Sequence, residues 1–446
     1  MVALCYFFLS FGISTSEKVQ QKAYFAYDSG GYYSYLPAFL IYHDPTFSFY
    51  KEKFWLPEGQ FLRNNEGIML NKYGMGVAIM QSPFFLVAHL IEKIKGKEAS
   101  GFSLTYYQAT FIGAAFYGAV GLFLLGLFLK NYFKNTAVIL TLLALGFGTN
   151  LFYYTTFEGM MSHVYSFFLF AAILLMSHKV HETGKVKYFI WIAFIGGLIT
   201  AVRLTNVVVL MIPFLWGISN FKAWKSIWFL ILKKPQYLIL AGGLFVLPVL
   251  PHFLYLHHMS GSWMLDAYAG ERFFWTDPLI WKVLFSFRKG WIIWSPILVS
   301  GIIGFIFIRK HPGFWSILIF SVVNLYLVST WWCWWYGGGF GMRALIEMSA
   351  IISLGMAAFF EKAMESQIWK YALIGLFPWF IALNFFQTHQ YEKGIIHHDA
   401  MTQKAYWEIF GMAHPVSEKV IERRNKYLHY TDPKRTMEDA VYRKGL

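Results

Sequence analysis

"YGMGVAIMQSPFFLVAHLI", residues 73–91, is the stretch on which the reading of the whole chain turns. A helix rises 1.5 Å per residue, so about 20 apolar residues cross a hydrocarbon core of about 30 Å. This stretch approaches that length, yet it carries Gly74, Gly76 and Pro83 and is mixed in polarity. If it crosses, every later loop changes side. If it lies along the surface as an interfacial helix, the loops holding Lys130 and Lys134, then Lys179, Lys185 and Lys187, then Lys222, Lys225, Lys233 and Lys234, then Arg309 and Lys310, then Lys362 and Lys370, all fall on one side. Basic short loops mark the cytoplasmic side, and the outer turns near 155–159 and 202–204 then hold Arg203 as their one basic residue. The surface reading is therefore preferred.

The runs on either side share one character. Apolar segments recur near 104–129, 136–154, 160–177, 188–201, 204–218, 237–256, 291–308, 313–331, 344–360 and 371–386. Charged residues are 14% of the 446 and aromatics 21%, against roughly 25% charged in soluble domains. Backbone groups in lipid must pair within their own segment, and the runs lack the period-2 alternation of barrel strands. The chain thus reads as an all-α polytopic membrane protein of about eleven transmembrane helices. "MVALCYFFLSFGIS", 1–14, is the first of these, short and clipped. Interfacial helices follow in an outer loop spanning 14–103. A membrane body is expected over 1–386, and a charged, amphipathic, extracytoplasmic tail over 387–446. The formal charge of +14 resides in loops between spans, so no nucleic-acid partner is implied. Cys5 and Cys333 both sit in apolar surroundings, which gives no disulfide framework and no zinc spacing.

Five places could carry chemistry. In "YDSGGYYSYLPAFL", 27–40, Asp28 could act as a general base, or merely cap a surface helix. Tyr27, Tyr32, Tyr33 and Tyr35 could stack on sugar rings or sit at the membrane interface. "FEGMMSH", 157–163, brings Glu158 and His163 to the mouth of an apolar helix, where ionisable groups tend to face a cavity; ordinary loop polarity and snorkelling are the alternatives. "ITAVRLTN" sets Arg203 on the outer side, suited to a phosphate or to lipid headgroups. "GERFFWTDPLIWKVLFSFRKGWIIWSP", 270–296, offers Glu271, Arg272, Asp277, Arg288 and Lys289 among eight aromatics, as phosphate ligands or as an anchoring belt. "STWWCWWYGGGFGMRALIE", 329–347, places four tryptophans, Tyr336 and four glycines before Arg343. Glycine-rich backbone leading into a helix N-terminus suits an anion, but the spacing excludes a dinucleotide fingerprint. "HHDAM", 397–401, could suggest a metal, but adjacent histidines usually diverge.

In order and placement these features resemble the GT-C superfamily of polyprenyl-phosphate-sugar-dependent glycosyltransferases, akin to protein mannosyltransferases and aminoarabinose transferases. The set includes Asp28, "KYGMGVAIMQSPFF", Glu158, "AVRLTN" and "WWYGGGFGMR"; with "MTQKAYWEIFG" in the tail it looks like a bacterial branch of that superfamily. The resemblance implies sugar transfer with inversion, from a polyprenyl-phosphate donor to a glycan, lipid or protein acceptor, at the outer face of the cytoplasmic membrane. It implies Asp28 as the acceptor-side carboxylate, alone or with Asp44 or Glu158, and Arg203, Arg288, Lys289 and Arg343 as ligands of the lipid phosphate. Lys72 and His163 are further donor-side candidates, and Tyr32, Trp335, Tyr336 and Glu271 are candidate contacts to sugar or acceptor. No cofactor is called for, and a divalent metal has nothing in its support. The competing readings are a non-catalytic membrane subunit of the cell envelope and a lipid or solute transporter. A transporter predicts mid-span charges and internal repeats, and neither stands out.

Overall fold

The computed structural model describes residues 1–16, 25, 27–50, 61–63, 69–263 and 271–445. Among these described residues, six helices are long and apolar enough to cross a membrane: Gly76–Ile94, Leu104–Leu129, Ser162–Thr183, Pro235–Ser260, Arg343–Glu365 and Gln367–Glu392. Shorter apolar helices cover Val2–Ser14, Asn135–Gly148, Val186–Val202, Leu204–Leu215 and Phe314–Thr330. Their number does not by itself give the number of crossings. The run expected as one span over 291–308 is broken into Trp291–Trp294, Pro296–Leu298 and Val299–Gly304. Pro296 has no N–H for the helical ladder, and the non-helical Ser295 before it interrupts the turn. A two-stranded antiparallel hairpin, β1 (Phe61–Arg63) with β2 (Met69–Asn71), departs from a purely helical chain.

The chain divides into two compact units, one of Met1–Leu124 with Tyr154–Ala269, the other of Leu125–Tyr153 with Gly270–Leu446. In the first unit, α1 (Val2–Ser14) is followed by α2 (Tyr27–Tyr33), whose tyrosines turn inward. Tyr33 is fully buried and donates to the Gly101 carbonyl. Tyr35 donates to the Tyr73 carbonyl at 2.6 Å and meets the Tyr255 ring edge-on, with centroids 5.5 Å apart. These rings join Phe47, Phe49, Tyr50, Phe85 and Tyr106 in one aromatic core. Tyr33 and Tyr35, which could have stacked on sugar rings or sat at the membrane interface, pack in this core.

Helix α3 (Gly76–Ile94) contains the deciding stretch, and its contacts show where it runs. The Met80 carbonyl accepts from Tyr117 at 2.9 Å, the His89 ring meets the Tyr106 hydroxyl at 2.6 Å, and Glu92 accepts from Thr105. As α3 advances, its partner therefore recedes along the first half of α4 (Leu104–Leu129). The first turn of α3 sits on Ala201 and Val202, at the end of α6 (Val186–Val202). Leu86, Val87, Leu90, Ile91 and Ile94 are exposed along it.

Helices α5 (Ser162–Thr183) and α6 are antiparallel neighbours, joined by a turn at Gly184 in the left-handed region. Lys179, Lys185 and Lys187 mark that end, whereas His163 and Arg203 meet at the other. Helix α7 (Phe221–Leu232) and the long α8 (Pro235–Ser260) complete this unit. In the second unit, the Val299–Gly304 turn presses on α9 (Ile346–Glu365). A methyl group on Gly304 would come within 1.8 Å of the Gly355 carbonyl oxygen, a close approach that only small residues permit. Helix α10 (Gln367–Glu392) follows, and the chain after it lies within this same unit.

Candidate active site

In the first unit the site grows from Asn71 and the residues after it. Asn71 donates from Nδ2 to the Gly31 carbonyl at 2.7 Å and to Ser34 Oγ at 3.0 Å, and its Oδ1 accepts the Tyr73 N–H at 3.0 Å. Its own N–H donates to the Tyr255 hydroxyl at 2.9 Å. So fixed, Tyr73 reaches across α2 and donates to Asp28 Oδ1 at 2.6 Å. The approach requires Gly31, because a Cβ there would stand 2.1 Å from the Tyr73 ring. Tyr32 packs on the same ring at 4.9 Å, and the Lys72 ammonium lies 5.5 Å from its centroid. Asp28, Tyr32 and Lys72, singled out separately in the sequence, thus converge on Tyr73.

The next residues carry the chain to the cationic side. A Cβ on Gly74 would fall 2.4 Å from the Ala201 carbonyl oxygen, and one on Gly76 2.2 Å from the Val202 nitrogen. The two glycines let the backbone lie flat against the end of α6. Arg203 caps that helix and is partly buried. Its Nη1 stands 3.4 Å from Nδ1 of the buried His163, whose ring also meets Tyr154 at 5.3 Å. Glu158 lies five residues before His163, in the loop that leads into α5, and is partly buried. Asp28 is therefore bonded to Tyr73, while Gly74 and Gly76 just after Tyr73 lie against the helix end that Arg203 caps, with His163 beside it.

Asp44 is differently employed. It accepts from the Thr46 N–H at 2.9 Å, Thr46 Oγ1 at 2.5 Å, Ser48 Oγ at 2.7 Å and the Phe49 N–H at 3.2 Å. Partial burial opposes its charge, but these donors outweigh burial and hold its pKa below the usual value. It closes a turn.

The second unit carries its own polar knot. Arg288 stacks its guanidinium on the Trp335 ring at 3.7 Å, pairs with Asp399 Oδ2 at 3.0 Å and donates to the Asp399 carbonyl at 2.9 Å. Trp335 Nε1 donates to the other carboxylate oxygen at 2.8 Å. Lys289, 2% exposed, donates to the His398 carbonyl at 2.5 Å and to the Gly339 carbonyl. Burial, with Arg343 and Arg288 nearby, pushes its pKa down to about 7, although Asp399 pulls the other way. Glu271 accepts from Trp332 Nε1 at 2.6 Å. Tyr336 and Gly337 take left-handed backbone, which turns the loop towards the 3₁₀ turn that Arg343 opens. The His397 and His398 rings stack at 4.4 Å instead of diverging, because His397 Nδ1 accepts the N–H groups of Asp399 and Ala400 and bends the backbone. Among the described residues no three His, Cys, Asp or Glu side chains are grouped to hold a metal ion.

No protein-family model matches this sequence. No curated protein matches it. Among solved structures the chain is similar to the apo crystal structure of the Archaeoglobus fulgidus oligosaccharyltransferase, with a TM-score of 0.49 and 10% identity. The match covers 99% of this chain and 64% of that one, so the chain spans under two-thirds of its neighbour's length. A likeness of that degree bears on neither reaction nor substrate.

Two residues central to these arrangements escaped the sequence reading. Tyr73 was visible only as part of an apolar stretch, though Asn71 before it and Gly74 and Gly76 after it mark a tightly held backbone. Asp399 stood inside "HHDAM", where the histidines drew the eye; an acid in a mostly basic, aromatic neighbourhood was the available signal.

Proposed function

We propose that this protein is a membrane glycosyltransferase that moves a sugar from a polyprenyl-phosphate donor to an acceptor hydroxyl, with inversion, at the outer face of the bacterial cytoplasmic membrane. The observation that carries the proposal is the junction at Tyr73, which holds Asp28 on one side and, through Gly74 and Gly76, abuts the helix end bearing Arg203 on the other. Asp28 takes the proton from the acceptor hydroxyl, whose oxygen attacks the anomeric carbon from the face opposite the phosphate. The bond from that carbon to the phosphate oxygen breaks, and its electron pair stays on the departing lipid phosphate. Arg203 offsets the growing charge, assisted by His163 and Lys72. In a water-poor site one such donor accounts for about 10²–10³ in rate. Tyr73 orients the Asp28 carboxylate and Tyr32 lines it. Arg343 and Tyr336 belong to the second unit, and the proposed step uses residues of the first unit alone. Arg288, Lys289, Trp335 and Glu271 bond to partners within their own unit, and in this proposal they support the Trp–Gly loop.

The outer placement is supported by the charge at the two ends of α5 and α6, with lysines at one end and the Arg203–His163 pair at the other. The reaction is tested by incubating purified protein with a panel of polyprenyl-phosphate sugars and measuring released lipid phosphate. Sugar-dependent release with an inverted product supports the proposal. Absence of release from every donor, with and without acceptor, removes it and leaves the non-catalytic reading.

A further inference from the structure

At the lysine end of the first unit, roughly 20 Å along α6 from Arg203, an apolar cavity of about 520 Å³ opens among α5, α6, the Leu204–Leu215 helix, α7 and α8. Its size falls within the roughly 300–1,000 Å³ of small-molecule pockets. The walls are side chains such as Ile192, Leu210, Phe214, Trp228 and Phe245. The one titratable side chain in the lining is His181, and its Nε2 donates to the Pro213 carbonyl at 3.2 Å.

The cover of this cavity is α7. Trp224 and Trp228 both donate from their indole nitrogens to the Phe214 carbonyl, at 2.7 and 3.2 Å. Those bonds fix the helix over the hollow without filling it. Ile227, Trp228 and Ile231 face inward, while Lys222, Lys225, Lys233 and Lys234 are exposed. From Thr183 to Leu265 the chain contains no Asp or Glu, so no acid in that stretch answers these lysines. Glu182 bonds Lys179 at 3.0 Å.

We propose that this cavity holds an acyl chain of an anionic glycerophospholipid, whose headgroup is gripped by the lysines of α7 and its C-terminal flank. An apolar hollow beside an unopposed basic helix matches a molecule with a hydrocarbon tail and a negative head. A zwitterionic lipid satisfies the hollow but not the charge, and basic clusters at a membrane surface are drawn to anionic lipid. This site is separate from the Asp28–Arg203 junction and does not depend on the reaction proposed for it.

The test uses the full chain equilibrated with mixed vesicles of phosphatidylglycerol and phosphatidylethanolamine, then extracted in mild detergent and weighed by native mass spectrometry. The expected result is phosphatidylglycerol retained by the wild-type chain in preference to phosphatidylethanolamine. Gly242 lines the cavity and has open space where a side chain would point, so Gly242→Phe fills the hollow and abolishes retention. The exposed quadruple variant Lys222→Gln, Lys225→Gln, Lys233→Gln, Lys234→Gln covers the case in which Gly242→Phe fails to fold. It lowers the preference for phosphatidylglycerol by about tenfold or more. Equal retention of the two lipids by the wild type, retention unchanged in the quadruple variant, or displacement of the phospholipid by added polyprenyl phosphate would each overturn the assignment.

Discussion

The two units use the same residue types for opposite ends. In the second, Arg288 and Lys289 are 5% and 2% exposed and are bonded to an aspartate and to backbone carbonyls that tie two loops together. Arg443 goes further and donates to four carbonyls, those of Asp277, Ser329, Trp331 and Trp332. In the first, Arg203 and Asp28 are only partly buried and sit at a backbone crossing made passable by glycines. Cations bonded to carbonyls within a fold hold it together, whereas the proposed reaction calls on charged groups that are only partly buried. Charge and aromatic neighbours alone do not separate the two cases; the identity of the bonded partner does.

That contrast can be broken by experiment. The largest effect is expected at Asp28: Asp28→Asn should lower transfer by about 10³ or more, with melting behaviour in detergent unchanged. Arg203→Ala follows, with an expected loss of about 10²–10³ in kcat and partial recovery in Arg203→Lys. In the second unit, Asp399→Asn leaves the buried Arg288 without its counter-charge. Breaking a buried pair costs about 3–5 kcal/mol, discounted here to about 2–3 because Asp399 is partly exposed. Thermal or denaturant unfolding should report that loss, with transfer per folded molecule preserved. Tyr73→Phe deletes one hydrogen bond to Asp28, and a fall of about tenfold in kcat is expected, visible without change in expression.

The last effect concerns pH. Lys289 releases its proton near pH 7 in the folded chain but keeps it to about 10.5 when unfolded. Between those values the unfolded state binds more protons, so stability should rise with pH. The rise should vanish in Lys289→Met. A melting temperature that falls over this window would contradict the burial of that ammonium.

Much of the class was legible in the chain, and little of the pairing. Low charge and span-length runs announce a helical membrane protein because lipid forbids unpaired backbone, and six helices meet that length. Asp28 stood out, but its partner lies 45 residues away and depends on a fold that no local pattern encodes. Arg288 and Lys289 looked like phosphate ligands because their partners at His398 and Asp399 come from more than 100 residues later. The break at Ser295–Pro296 was written in the proline, yet the strongly apolar residues on both sides masked it.

The most direct test compares turnover per folded molecule in Asp28→Asn and Arg288→Met, using one donor and one preparation of each. Turnover lost in the first and retained in the second, with the second alone melting at lower temperature, is the expected result. Turnover retained in Asp28→Asn, or abolished in a fully folded Arg288→Met, would place the chemistry outside the junction at Tyr73.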